Sequence, residues 1–411
     1  MDPEPTTSTT PRSARRFSRR RALVLTGGGL AGLVGAGTVT DLAAGDPVRR
    51  AIKATASSSP SAAATPAAFT VVTLRAGVAP GDIFLTDMGS TPATVIADPS
   101  GTVLWTAGGA KSYADLRTQT YQGKPALTYW ESNSSGLAAY ANGRDVVTDL
   151  EHHVIATIET HAGISPDEHE FRLTPRGTAL ITSYVTTTGV DLRHHGGVKN
   201  GVVMNGIAKE IDLATGKVLL HWESLDHVAL SESHAGVPDD PTEPWDYCHI
   251  NSVNTTPDGN LVISARHTWA VYKVARDTGR VLWRLGGKKS DFAVPSAARF
   301  AWQHDAEFEA ANELRIFDNA SDGTVKTHAR SRILWLSLDE TRRRATLVRR
   351  FQHPDLVQAD AMGNAQRLAN GNVFVGWGTA KRVTEFSPTG EVLFDATLPD
   401  VSYRGYRQVW R

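Results

Sequence analysis

Two kinds of tight turn alternate along this 411-residue chain, and that alternation constrains its fold more than any other feature. The first kind reads Thr174-Pro175-Arg176-Gly177. It recurs as Thr256-Pro257-Asp258-Gly259 and as Leu368-Ala369-Asn370-Gly371. The second reads Asp212-Leu213-Ala214-Thr215-Gly216-Lys217-Val218. It recurs as Asp277-Thr278-Gly279-Arg280-Val281-Leu282-Trp283, as Pro388-Thr389-Gly390-Glu391-Val392-Leu393-Phe394, and early on as Pro99-Ser100-Gly101-Thr102-Val103-Leu104-Trp105. Glycine supplies the positive φ that such hairpins need. β-prone runs flank the turns and helical periodicity is nearly absent, which disfavours a doubly wound fold. One hairpin of each kind makes four strands, the unit of a β-propeller blade. Pairing them predicts an all-β, six-bladed propeller over residues 69–411, with blades near 75–107, 113–160, 166–224, 247–286, 301–352 and 360–398. The last run, Tyr406 to Trp410, would pair with the first blade and close the ring, which removes exposed sheet edges.

The composition allows such a core, with 41% hydrophobic residues. The 43 basic and 43 acidic side chains balance, so neither nucleic acid nor an anionic membrane surface is expected as a partner. Cys248 is the only cysteine, so no intrachain disulfide can form. Eight arginines fall in the first 50 residues. There Ser18-Arg19-Arg20-Arg21-Ala22-Leu23 leads into an apolar, glycine-rich run from Val24 to Val39, the pattern of a twin-arginine signal that exports folded chains. Residues 1–45 are therefore read as a signal, or as a retained anchor if it is not cleaved. Residues 46–68, rich in Ala, Ser, Thr and Pro, are read as a flexible linker. The expected location is the cell envelope or the exterior.

Three histidines hold one register. His169 precedes the turn at Gly177, His249 the turn at Gly259, and His304 the turn near Asn312; Asn364 takes the same place before Gly371. If each begins the innermost strand of its blade, all four converge at one mouth of the central channel. Any one alone is more simply a histidine bonded to neighbouring backbone, but three in register point to a site. Arg266 ends the run Leu261-Val262-Ile263-Ser264-Ala265 and adds a permanent cation. Three histidines can bind a metal. An adjacent arginine repels a dication, however, and its paired donors suit a tetrahedral oxyanion better. Imidazole serves as nucleophile, acid or base near neutral pH.

Tyr247-Cys248-His249-Ile250-Asn251-Ser252, Ser264-Ala265-Arg266-His267, Trp302-Gln303-His304-Asp305 and Gly363-Asn364-Ala365-Gln366-Arg367-Leu368-Ala369-Asn370-Gly371-Asn372 together resemble the arylsulfotransferase family, in order and spacing over about residues 80–410. The resemblance implies a six-bladed propeller that moves a sulfuryl group from an aryl sulfate donor to a phenolic acceptor without a nucleotide donor; no cofactor or catalytic metal is expected, and a structural cation stays open. Carried over, His304 becomes the nucleophile that is sulfated, giving a sulfohistidine and ping-pong kinetics. His249 and Arg266 bind the sulfuryl oxygens, and His169 is the remaining catalytic histidine. Asp305 departs from the family pattern: it repels a sulfate if it points inward, or orients the imidazole if it bonds to the ring. Asn364, Tyr247, Trp269 and Trp302 are candidate substrate-binding residues, the aromatic ones by stacking on an aryl ring, with ordinary blade packing the alternative for each. The segment 225–246, with His227, His234, Asp239 and Asp240, is too long for a simple turn and reads as a lid. Two other classes stay open at this point: a non-enzymatic propeller that binds sulfated or phenolic ligands or a protein, and a hydrolase with water as acceptor.

Overall fold

The computed structural model describes residues 67–135, 142–159 and 163–411. The signal region 1–45, and all but the last two residues of the linker 46–68, lie outside them. The described chain is a six-bladed propeller of antiparallel sheets. Blade 2 runs through Lys111–Tyr121, Lys124–Ser135, Gly143–Thr148 and Val154–Ile158. Blade 3 takes Phe171–Leu173, Thr178–Val190, Gly201–Asp212 and Val218–Glu223. Blade 4 takes Ile250–Thr255, Leu261–Ala265, Ala270–Val274 and Val281–Gly286. Blade 5 takes His304–Ala310, Glu313–Asp318, Arg332–Asp339 and Arg344–Phe351.

The other two blades are composite. Blade 1 has Asp82–Asp87, Ala93–Ala97 and Val103–Gly108, and its fourth, innermost strand is the C-terminal Gly405–Gln408, with Leu85 opposite Gly405 and Asp82 opposite Gln408. This is the expected ring closure. Blade 6 has Asn364–Arg367, Val373–Gly376, Arg382–Phe386 and Val392–Thr397, and gains a fifth, outer strand from Thr70–Leu74. That strand was not anticipated from the sequence. The two ends of the described ring are thus sewn into different blades.

The core is divided by blade pair rather than gathered in one place. Side chains on a strand point alternately to the two faces of its sheet, so each blade serves two neighbours. Leu261 and Ile263 pack toward blade 3 with Leu180 and Trp222, while Val262 packs toward blade 5 with Leu314 and Leu334. Ile83 and Leu85 meet Phe374 and Phe394 of blade 6, whereas Phe84 meets Leu127 and Val146 of blade 2. Trp335 and Trp377 join blades 5 and 6. Phe171 and Val147 join blades 3 and 2. Both faces of every blade are thereby buried, so the blades are held at fixed angles and the channel they line is fixed with them.

Candidate functional site at the channel mouth

His169 stands just before the inner strand of blade 3, His249 just before that of blade 4, and His304 begins that of blade 5. The ring centroids of His169 and His249 are 4.9 Å apart, and those of His249 and His304 6.4 Å. The hairpin between the second and third strands of blade 4 brings Arg266 and His267 to the same place, with His267 4.7 Å from His249. His169 and His304 are 4% and 3% exposed, so water does little to screen these contacts.

The partners of each ring fix its proton. His169 donates from Nδ1 to Asp167 Oδ2 at 2.6 Å, and His249 from Nδ1 to Asp246 Oδ2 at 2.5 Å. His267 donates from Nδ1 to the Asp246 carbonyl at 2.5 Å and accepts on Nε2 from Arg266 Nη1 at 2.7 Å. Arg266 Nη2 also donates to the Asp360 carbonyl at 2.8 Å. His304 differs from the others. Its Nδ1 donates to the side-chain oxygen of Asn319 at 2.8 Å, with the Trp302 carbonyl at 3.2 Å, and its Nε2 accepts from the Met362 N–H at 3.2 Å. The Asn319 amide has only one orientation, because its Nδ2 donates to the carbonyls of Ala359 and Met362, both at 2.9 Å.

These surroundings put the imidazoles in different charge states. Burial disfavours a charge on His169, but the Asp167 carboxylate overcomes this, and its pKa is pushed up to about 9. Burial, then the positive neighbours His169 and Arg266, holds His249 well below the usual histidine value. Burial, then Arg266 and His249, does the same for His304. Burial also brings His267 down to about 4, against the pull of Asp246. At neutral pH the mouth therefore holds an imidazolium, a guanidinium and neutral imidazoles, a set suited to an oxyanion. The group Asp246, His249 and His267 is compact enough for a cation. The Arg266 donor on His267 Nε2 places the His267 proton on Nδ1, however, and leaves that nitrogen no lone pair for a metal.

The remaining expected residues divide. Trp302 lies beside His304, and Trp269 sits edge-on to it at 4.5 Å. The other face of Trp269 is covered by His234 at 3.6 Å, with the rings 4° from parallel. The segment 225–246 reaches the site through His234, whose N–H donates to the His267 carbonyl at 2.7 Å. That segment is anchored at Trp245, which exchanges backbone bonds with Val202 and Met204 of blade 3. Tyr247 is not at the surface of the site: it is 0% exposed, packs between blades 3 and 4, and donates its hydroxyl to the Val228 carbonyl. Asn364 is in register but turned to structural work, with its amide holding both the N–H and the carbonyl of Gly405 at 2.9 and 3.0 Å. Asp305 neither faces the mouth nor touches the His304 ring. It accepts from the Ala365 N–H at 3.0 Å and lies 3.4 Å from Arg315.

Four further residues complete the arrangement. Asp167 and Asp246 lie two and three residues before their histidines, a short-range signal that was present in the sequence. His267 was in plain view beside Arg266. Asn319, fifteen residues from His304, carries no local signal. Beneath the histidines a buried ion network fills the channel: Arg404 contacts Glu170 at 3.1 Å and Asp115 at 3.2 Å, and Arg117 contacts Glu170 at 2.6 Å. Beyond it, at the far ends of the inner strands, lies a cavity of about 900 Å³ lined by Gln119, Gln366, Gln408, Arg315 and Glu307 among others. The three glutamines bond to backbone of adjacent strands, and Glu307 pairs with Arg315 at 2.7 Å. This cavity is thus on the opposite side of the plug from the histidines.

A family model described as arylsulfotransferase (ASST) matches residues 117–398. No curated protein matches the chain. Among solved structures, similarity extends to a protein of unknown function from Bacteroides caccae, at 14% identity, covering 80% of this chain and 98% of that one, with a TM-score of 0.49. It extends also to a periplasmic gluconolactonase of Pseudomonas aeruginosa, at 13% identity, covering 80% and 99%, with a TM-score of 0.44.

Proposed function

Because this chain belongs to the arylsulfotransferase family, we propose that it moves a sulfuryl group from an aryl sulfate to a phenol in two displacements at His304. The observation that carries this reading is the pair of partners on the His304 ring. Nδ1 keeps its proton by donating to a neutral amide, and Nε2 keeps its lone pair by accepting from a backbone N–H. A carboxylate-backed imidazole holds a proton already, as His169 does, or takes one up when an anion approaches, as His249 does, whereas an amide-backed one stays a neutral nucleophile.

In the first displacement the Nε2 lone pair gives up the Met362 N–H and forms an N–S bond, and the S–O bond to the aryl group breaks with its electron pair on the phenolate oxygen. The His169 imidazolium gives that oxygen its proton. An acid with a pKa of about 9 is well matched to a phenol, whose own pKa is about 10. Arg266 and His249 face the sulfuryl oxygens, and the bound anion favours the protonated form of His249. In the second displacement an acceptor phenol gives its proton to His169 and attacks sulfur, and the N–S bond breaks with its pair back on Nε2.

Mixing the protein with 4-nitrophenyl sulfate alone tests this. The expected result is a burst of one equivalent of nitrophenol, and one sulfuryl mass on the peptide containing His304 that a phenol then removes. His304→Ala should abolish both. Turnover by His304→Ala at a comparable rate would show that another group carries the sulfuryl. Binding of several aryl sulfates with no burst would point to a binding protein, and loss of the added mass to water alone would point to a hydrolase.

A further inference from the structure

The three histidines at the channel mouth differ most in what holds Nδ1. For His169 and His249 it is a carboxylate, at 2.6 and 2.5 Å; for His304 it is the Asn319 amide, at 2.8 Å. Asn319 is wholly buried, at the end of the second strand of blade 5. Its amide is engaged at both ends, and its own carbonyl accepts from Ser331 Oγ at 2.8 Å and from Gln358 Nε2 at 2.6 Å. The Asp246 carboxylate also lies 3.3 Å from His267 Nδ1, so the site brings a carboxylate to Nδ1 of three rings and withholds one from His304.

We infer that Asn319 is a positioning residue which, by giving His304 an amide and not a carboxylate, keeps the sulfohistidine short-lived and so balances capture of the sulfuryl group against its release. The inference rests on the reading of His304 as nucleophile. A ring sulfated on Nε2 and protonated on Nδ1 is formally an imidazolium bearing a sulfonate. Its N–S bond breaks readily because cleavage returns a neutral imidazole. A carboxylate at Nδ1 would stabilise the ring's positive charge, or take the Nδ1 proton, and either makes the ring a poorer leaving group. In the resting enzyme it would also favour a proton on Nε2, where the lone pair is needed. The other charged or titratable groups near this ring are Arg266, His249 and His169, with Asp305 turned away to Arg315. None of them supplies a carboxylate to Nδ1.

The same amide aims the other end of the ring. Its Nδ2 bonds hold the carbonyls of Ala359 and Met362, and the Met362 N–H points at His304 Nε2. Met362 and Gly363 are both left-handed, at φ 63° and 99°. A Cβ on Gly363 would lie 2.6 Å from the Phe317 ring, so the segment has little room to shift.

Asn319→Asp is the test, because it keeps size and changes charge. After a pulse of 4-nitrophenyl sulfate the sulfated His304 peptide should persist about tenfold longer toward a phenol acceptor than in the wild type, and the burst should need a higher pH. Ser331→Ala loosens the same segment without touching the ring, since Ser331 Oγ also bonds the Ala359 N–H at 2.8 Å. It should leave the lifetime within about twofold; an equal lengthening there would overturn the inference. In wild-type protein, 15N shifts should show Nδ1 protonated and Nε2 unprotonated at about pH 6.5, where a free imidazole is half protonated. A doubly protonated ring at pH 6.5 would overturn it with no variant needed. If the wild type is never sulfated at His304, the nucleophile reading itself fails. If it is sulfated but Asn319→Asp behaves as wild type, the inference alone fails.

Discussion

A histidine offers chemistry at one nitrogen according to what occupies the other, and this site uses that freedom three times over. Asp167 makes His169 a stored proton, whereas Asn319 makes His304 a stored lone pair. The roles predict different responses to the leaving group. A phenolate with a strongly withdrawing substituent departs without help, while a basic one needs a proton as the S–O bond breaks. His169→Gln should therefore slow transfer from 4-nitrophenyl sulfate modestly and from unsubstituted phenyl sulfate by about 100-fold or more. Single-turnover rates over a donor series read this directly. An equal loss for both donors would show that His169 only shapes the site. That His169, His249, His304 and Arg266 belong together was readable from their register, because a propeller turns a repeated position into a ring of neighbours. Which of them is charged was not: Asp167 and Asp246 stood nearby in the sequence, but the burial and the positive neighbours that leave His169 charged and His249 neutral come from several blades.

At the scale of the element, the position shared by His304 and Asn364 serves opposite ends. Asn364 begins the inner strand of blade 6, as His304 begins that of blade 5, and its register suggested a substrate contact. The neighbour it meets is the backbone of Gly405, the first residue of the strand that closes the ring. Gly376, opposite Asn364 in the sheet, makes this approach possible: a Cβ there would lie 2.5 Å from the Gly405 nitrogen. Asn364→Ala leaves a buried N–H and a buried carbonyl without this partner and should cost about 2–4 kcal/mol of stability. Urea unfolding should show the loss, with KM for donor and acceptor within about twofold of wild type. A raised KM at unchanged stability would return Asn364 to the substrate. The strand Thr70–Leu74 was missed for a related reason. It is short, has no turn of either kind beside it, and pairs with a blade at the far end of the chain.

For the whole molecule, the buried histidines predict a stability maximum. His169, raised from 6.5 to about 9, contributes fully below pH 6.5, and its contribution is lost as pH rises through about 9. His249, His304 and His267 are depressed, so below pH 6.5 the unfolded chain binds protons that the folded one refuses, and stability falls with acid. Among the described residues Lys209, brought down to about 8 by burial, works against the alkaline loss only above pH 8. The melting temperature should therefore peak near pH 6.5 and decline more steeply toward pH 5 than toward pH 8. Each proton of difference is worth about 1.4 kcal/mol per pH unit. His169→Gln should flatten the limb from pH 6.5 to 8. A limb that stays as steep would mean that His169 is not the charged member.

Sequence alone determined the architecture and where the histidines would gather. Turn chemistry and strand alternation are local properties, and six copies of one unit leave closure into a ring as the way to bury both faces of every blade. It also determined that His169, His249, His304 and Arg266 would meet. Tertiary structure alone decided that Asn364 and Tyr247 brace the fold, that Asp305 turns to Arg315, and that an amide from a neighbouring strand sets the state of His304. Those outcomes depend on the direction of a side chain and on which distant backbone group fills its hydrogen bonds. Neither exists until the blades have packed.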